Sequence, residues 1–274
     1  MKVVTAIQAR TSSYRLPSKV LLPVCGEPLL FRMIDRVSRS SLAGTIVVAT
    51  TFMSDDDIIE LLCIKRGINC FRGSMTDLLD RHYQLSLEYD ADALVKIPSD
   101  CPLIDPSVID QVIGYYLKNY PDFDFVSNLH PASYPDGNDV EIMSFDTLRT
   151  TWENAYRNFE REHTTPYIWQ NPEKFRIGNV TWPAGHDFSS SHRWTIDYEE
   201  DYDFICEVYN KLFPGNREFG LYDILSLVGK HPEISDLNKR YAGLYWYENH
   251  LEELNNIDEY KHKIKKYETK NYSG

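Results

Sequence analysis

From Arg10 to Lys19 the chain packs three cations (Arg10, Arg15, Lys19) and four Ser/Thr hydroxyls into ten residues. That composition suits a polyphosphate. Arg offers a planar fork, Lys a point charge, and the backbone N–H groups of a tight loop can cradle phosphate oxygens. The loop holds no glycine, so neither the P-loop nor the dinucleotide fingerprint matches. A solvated basic loop is the plainer use of the same residues. A second run is Ser99-Asp100-Cys101-Pro102-Leu103-Ile104-Asp105-Pro106. Asp100 could serve Mg²⁺, which takes carboxylate oxygen and keeps water and substrate phosphates as its other ligands. Asp105 before Pro106 is expected to cap a helix instead. A third run is His192-Arg193-Trp194-Thr195-Ile196-Asp197. Asp197 paired in space with Asp100 would complete a two-carboxylate metal site; alone it would be a helix cap. The fourth set joins Tyr134-Pro135-Asp136-Gly137-Asn138-Asp139-Val140-Glu141 to Arg161-Glu162-His163, polar groups beside apolar strands. A loop plus a helix cap would also account for these.

The elements that must position these residues alternate in the first half. Val3–Gln8, Thr45–Ala49, Asn69–Phe71 and Ala93–Ile97 are β-branched or apolar runs of strand length. Between them, Leu29 to Val37, Asp55–Arg66 (with Ser54 as cap) and Thr76–Glu88 carry apolar residues at helical spacing, and Pro106 opens another helix. This rhythm predicts an α/β fold with a mostly parallel central sheet and helices on both faces. Loops that follow strands then lie at the carboxyl edge, where such sheets bind ligands. Past Asp124 a smaller β-rich region is expected, with strand candidates Phe123–Val126, Asp139–Met143, Phe175–Val180 and Arg193–Thr195. Helices are expected over Tyr202–Phe213 and Leu221–Val228. Residues 1–250 read as one domain and 251–274 as a charged helix or tail.

The chain has 274 residues and a formal net charge of −12, which argues against a nucleic-acid-binding surface but not against a nucleotide substrate. The N-terminal apolar run is too short for a signal peptide, and no stretch of 18 apolar residues exists, so a membrane span is not expected. Five irregularly spaced cysteines with no C-x-x-C pair suit the reduced thiols of a cytoplasmic protein.

In this order the segments resemble the cytidylyltransferases of the spore-coat polysaccharide type. These are relatives of the enzymes that make CMP-linked sialic acid, pseudaminic acid and 3-deoxy-manno-octulosonate. Six ordered motifs carry the resemblance over roughly the first 215 residues. They are Gln8-Ala9-Arg10 with Arg15–Lys19; Arg72-Gly73-Ser74 with Leu79-Asp80-Arg81; Asp100–Pro106; Tyr134–Glu141; Arg161–Tyr167; and His192–Asp197. The resemblance implies a Rossmann-like GT-A nucleotidyltransferase fold and transfer of CMP from CTP to a small acidic or sugar-like acceptor. Residues 1–122 would mainly bind nucleotide and 123–197 the acceptor. Arg10, Lys19, Asp100 and Asp197 would be catalytic, with Mg²⁺ on Asp100 and Asp197. Ala9, Ser12, Ser13, Arg15, Arg72, Gly73, Ser74 and Ser99 would join Arg10, Lys19 and Asp100 around the nucleotide. Tyr134, Asp136, Asp139, Glu141, Arg161, His163, His192 and Arg193 would meet the acceptor. Ser18 and Ser99 stand where the family usually has glycine, which presumes a negative φ at each. Asn138, in place of an apolar residue, would mark a changed acceptor. Relatives that activate sugar acids are often dimers, and Tyr241, Tyr245, Trp246 and Tyr247 would serve an interface or cover the core. Alternatives are a phosphonate cytidylyltransferase, a non-catalytic nucleotide-binding protein, or a GT-A glycosyltransferase holding its metal on Asp122-Phe123-Asp124.

Overall fold

The computed structural model describes residues 1–243; the expected tail at 251–274 and Tyr245, Trp246 and Tyr247 lie outside the described residues. In chain order the elements are β1 (Val3–Gln8), β2 (Pro23–Val24), β3 (Glu27–Pro28), α1 (Leu29–Val37), β4 (Thr45–Thr51), α2 (Asp57–Arg66), β5 (Asn69–Gly73), α3 (Leu78–Glu88), β6 (Ala93–Pro98) and α4 (Pro106–Lys118). The second half adds β7 (Phe125–Ser127), β8 (Glu141–Ser144), α5 (Phe145–Asn154), α6 (Asn158–His163), α7 (Pro166–Trp169), β9 (Ile177–Asn179), α8 (Glu199–Leu212), α9 (Leu221–Lys230) and α10 (Pro232–Asp236). The main sheet has seven strands in the order β5-β4-β1-β6-β8-β7-β9, and β2-β3 form a separate two-stranded antiparallel sheet. β1 pairs in parallel with β4 and β6, so its side chains are covered on both faces and it reads as a near-continuous apolar run. β8 is antiparallel to β6 and to β7, which makes β7 run with β6. The strands of the second half therefore extend the central sheet.

One sheet face buries Ile7, Val48, Val95 and Ile97 against α1, α2 and α4. The other buries Val4, Ala6, Leu94 and Phe125 against α3, α5 and α7. A third cluster packs Leu103, Trp194 and Ile196 against α8 and α9, which anchors the loops bearing Asp100 and Asp197. Arg36 of α1 is buried and donates to the carbonyls of Ile104 (2.7 Å), Leu103 (3.2 Å) and Phe219 (3.0 Å). Each of those buried acceptors would cost about 1–3 kcal/mol if left unpaired, so a residue remote from the crevice holds the loop after Asp100 in shape.

Several expectations change. Arg193–Thr195 is not a strand; it makes a single parallel bridge, Asp136 to Arg193. The segment at Asp55 begins as a 3₁₀ turn, Ser54–Asp56, before α2. The Asp56 carboxylate makes no capping bond there, because it accepts Thr11 N–H at 2.7 Å, Thr11 Oγ1 at 2.8 Å and the Thr51 hydroxyl. Ser18 has φ 55°, in the left-handed region, so the negative φ presumed for it is corrected. A non-glycine residue there costs roughly 1–2 kcal/mol, partly offset by glycine's entropy. Ser18→Gly is expected to stabilise the protein by about 0.5–1 kcal/mol; a lowered denaturation midpoint in that variant would contradict the strained turn.

Candidate active site

The carboxyl ends of β1 and β6 release the Arg10–Lys19 loop and the Asp100 loop side by side, because the two strands are paired in register. Thr11, tied to Asp56, anchors the first loop, and Ser18 N–H closes it by donating to Thr11 O at 2.8 Å. Lys19, 9% exposed, is thereby aimed inward. Its ammonium donates to Ile196 O at 2.6 Å and Asp197 Oδ1 at 2.9 Å, and lies 3.6 Å from Asp100 Oδ2. Arg15 Nη2 meets the same Asp197 oxygen at 2.6 Å. The two acidic loops are zipped together: Ile196 N–H donates to Asp100 O at 2.9 Å, as does Thr195 Oγ1. Burial works against the Lys19 charge, yet Asp100 and Asp197 outweigh it and hold its pKa above the ordinary value. Burial likewise opposes the Asp197 charge, and Lys19 and Arg15 win, holding its pKa below the usual carboxylate range.

The acceptor-side segment reaches this place because β8 is antiparallel. Its first residues arrive at the edge where β6 ends, with Glu141 opposite Lys96 and ion-paired to it. Asp136 is hydrogen-bonded into the Asp197 loop through its main chain, N–H to His192 O (2.9 Å) and O from Trp194 N–H (2.7 Å). Gly137 permits this approach: φ is 103°, and a Cβ would stand 2.7 Å from Thr195 N. Arg193 links the carboxylates, with Nη1 3.3 Å from Asp136 and Nη2 3.4 Å from Asp197. Asp201, fully buried, takes Arg193 Nε at 2.8 Å and Nη2 at 2.9 Å, and also the N–H groups of Asp197 and Tyr198 at the start of α8.

Burial, then Asp139, raises the Asp136 pKa well above the carboxylate range despite Arg193. Asp139 is raised to about 7 by burial, then by Asp100 and Glu141, with Lys96 acting the other way. An acid whose folded pKa is raised binds its proton more tightly in the folded state. Between about 3.9, where the unfolded chain ionises, and about 7, stability therefore falls as pH rises. Denaturation of the metal-free protein from pH 5 to 8 is expected to show this slope, at most about 1.4 kcal/mol per pH unit per proton, and Asp139→Asn should flatten it. An identical slope in that variant would sink the assignment.

The remaining predicted site residues divide. Arg10 is exposed, and its charge acts on Arg81; it makes no ion pair among the described residues. Ser12 and Ser13 lie on the same loop, and Ser99 N–H donates to Gln8 O beside it. The Ala9 side chain is core and its N–H is bound to Ala49 O. Gly73 ends β5 and leads into Ser74, which is held by the Arg81 guanidinium donating to its carbonyl at 2.8 and 2.6 Å. Arg72 borders the same cavity as Gly73 and Ser74, and its guanidinium binds Thr51 O, Met53 O, Asp57 and Glu60 on the α2 side. Tyr134 is corrected to core, with its hydroxyl donating to Gln111 Oε1 at 2.8 Å. Arg161 is committed to Asp77 (2.9 and 2.7 Å) at the start of α3. His163 packs edge-on against Phe159, and His192 sits against Phe188 with burial lowering its pKa. Asn138 is buried and shapes its loop, accepting Asp105 N–H and donating to Pro135 O, so it does not mark an acceptor. Asp105 caps α4 as expected. Asp56 and Asp201 were given no role by the sequence reading, and Arg81 entered it only as part of a motif, since each works through contacts that only folding makes.

A seven-stranded, mostly parallel sheet with β8 reversed, and a crevice of basic and acidic groups at its carboxyl edge, define the α/β nucleotidyltransferase class. Within that class the chain belongs to the cytidylyltransferase family, whose model matches residues 4–223. An uncharacterised protein of Methanocaldococcus jannaschii is 36% identical over 238 residues, 87% of this chain and 95% of its own. The spore coat polysaccharide biosynthesis protein SpsF of Bacillus subtilis is 30% identical over 235 residues, 84% of this chain and 95% of its own. The solved cytidylyltransferase of Leptospira borgpetersenii superposes with a TM-score of 0.81 at 33% identity, covering 85% of this chain and 96% of that one.

Proposed function

We propose that this protein transfers CMP from CTP to a sugar acid or similar small hydroxyl-bearing acceptor, releasing pyrophosphate, as a step in making a surface polysaccharide or glycan precursor in the cytoplasm. The observation that carries the reading is Lys19, held between Asp100 and Asp197 beside the basic loop. Arg10, Arg15 and Lys19 would hold the triphosphate, and Gly73 and Ser74 would border the nucleoside. An acceptor hydroxyl oxygen attacks the α-phosphorus and gives up its proton to solvent, the bond from that phosphorus to the oxygen bridging to the β-phosphate breaks, and pyrophosphate leaves with its charge met by Lys19. No covalent enzyme intermediate is needed; positioning and charge neutralisation supply the rate.

The donor set fits Mg²⁺. Among the described residues no three ligating side chains converge on one point, and Mg²⁺ is commonly held by one or two carboxylates with substrate phosphates and water completing the shell. Asp100 and Asp197 would hold it, and when bound it would neutralise phosphate charge. The acceptor side offers Asp136 and Asp139, whereas Arg161 and Arg193 are already matched by Asp77 and Asp201. That balance favours recognition of the acceptor through its hydroxyls.

The glycosyltransferase alternative loses its motif. Asp122 and Asp124 precede β7, which runs with β6, so they stand at the amino edge of the sheet, opposite the Asp100 crevice. Asp124 is held there by Arg176 Nη2 at 2.6 Å. The test is pyrophosphate release with Mg²⁺ and each nucleoside triphosphate across a panel of sugar acids, sugar phosphates and phosphonates. Release with CTP and a sugar acid supports the reading; failure to bind CTP in the presence of Mg²⁺ would sink it.

A further inference from the structure

The family match ends at residue 223, yet the chain beyond it returns to the carboxylate cluster. Asn238, just past α10, is 2% exposed. Its amide donates to Asp201 Oδ1 and to the Arg193 carbonyl, each at 2.9 Å. Three residues on, Tyr241 stacks on Tyr198 with ring centroids 4.0 Å apart and planes 6° apart. The Arg193 guanidinium lies 5.8 Å from one ring and 5.9 Å from the other. The segment thus holds Arg193 through its carboxylate partner and its main chain, with the Tyr241 ring beside its guanidinium.

The position so fixed has a consequence for charge. Arg193 is close to Asp201 but stands off from Asp197 (3.4 Å) and Asp136 (3.3 Å), contacts too long for strong hydrogen bonds. Released from Asp201, the guanidinium would be drawn onto those carboxylates, and it would cover oxygens that a divalent cation needs. Asp197 already carries Lys19 and Arg15, so a third cation at full contact would leave it little free electron density.

We propose that Asn238 is a positioning residue: by fixing Asp201 it holds Arg193 back from Asp197 and so sets the affinity of the site for a divalent cation. The inference rests on the metal–CTP reading of the site. It assigns to the C-terminal segment, beyond the family-matched region, control of cation affinity without contact to the cation.

The test titrates Mn²⁺ into the full chain with CTP and no acceptor, reading free Mn²⁺ by electron paramagnetic resonance. Asn238→Ala is expected to weaken Mn²⁺ binding about tenfold, the scale of losing an outer-shell partner, while CTP binding without metal holds. Tyr241→Leu loosens the same hold from the ring side and leaves the buried amide intact. It should shift Mn²⁺ affinity in the same direction, and it carries the test if Asn238→Ala does not fold. Wild-type Mn²⁺ affinity in the folded variants overturns the proposal, and so does a parallel loss of metal-free CTP binding. If the wild-type protein binds no Mn²⁺ with CTP, the site reading itself fails, and the inference falls with it.

Discussion

Asp197→Asn is expected to lower kcat by about 10²–10³-fold, the scale of losing one major electrostatic element of an active site. Asp197 accepts Arg15 at 2.6 Å and Lys19 at 2.9 Å, and Arg193 stands 3.4 Å away. Asn keeps the shape and one acceptor but removes the anion on which three cations converge. The expected loss is therefore in the ordering of triphosphate and metal together, with stability falling by about 1–3 kcal/mol from weakened charged hydrogen bonds. Asp100→Asn should show a kcat loss of the same order with less damage to stability, because its carboxylate is 3.6 Å from Lys19 and about one-third exposed. Pyrophosphate release at saturating CTP and Mg²⁺ measures both. A near wild-type kcat in either variant removes that carboxylate from the reaction.

Lys19→Met should be comparably severe and differ in its signature. Met matches the length of the side chain and lacks its charge. The variant loses the cation proposed to meet departing pyrophosphate, and it leaves Asp100 and Asp197 without the charge between them. kcat/KM for CTP is expected to fall by about 10²–10³-fold. The sign of the pH effect follows from the wild-type protein, where Lys19 helps depress the Asp197 pKa. Without it that pKa rises, so activity that needs the carboxylate should be lost at higher pH as the solution is acidified. A pH–rate profile reads this as an upward move of the acid limb. An unchanged acid limb with full turnover would mean that Lys19 only braces the Ile196 carbonyl.

The alternation of short β-branched runs with helical spacing was legible through residue 118, and β1, β4, β5, β6 and the helices between them appear where the patterns put them. Local signals sufficed there because buried parallel strands are apolar on both faces, and Asp77 and Asp105 cap α3 and α4. The helices between Phe145 and Trp169 were not legible. They are short, and α5 carries three threonines and two aromatic residues, so propensity pointed weakly. Strand alternation was the missed signal for the ion pairs of Arg72: it shares a face with Cys70 and α2, whereas Phe71 and Gly73 face α3. Tyr134 went to the core and Arg161 to a protein partner for reasons the sequence could not show. Polar side chains on a polar segment look alike in sequence whether their partner is a ligand, Gln111 or Asp77.

The sequence by itself determined which residue types were available for phosphate and metal, and that the loops after β1 and β6 would carry them, since loop position follows from strand order in a parallel sheet. The tertiary structure alone decided which of those residues meet. Reversal of β8 brings Asp139 and Glu141 to the carboxyl edge, and direction along a strand is not encoded in its apolar pattern. Asp201 and Asn238 fix Arg193 through hydrogen bonds spanning 8 and 45 residues. Those bonds depend on buried geometry, and geometry at that range exists only once the core around α8 and α9 has closed.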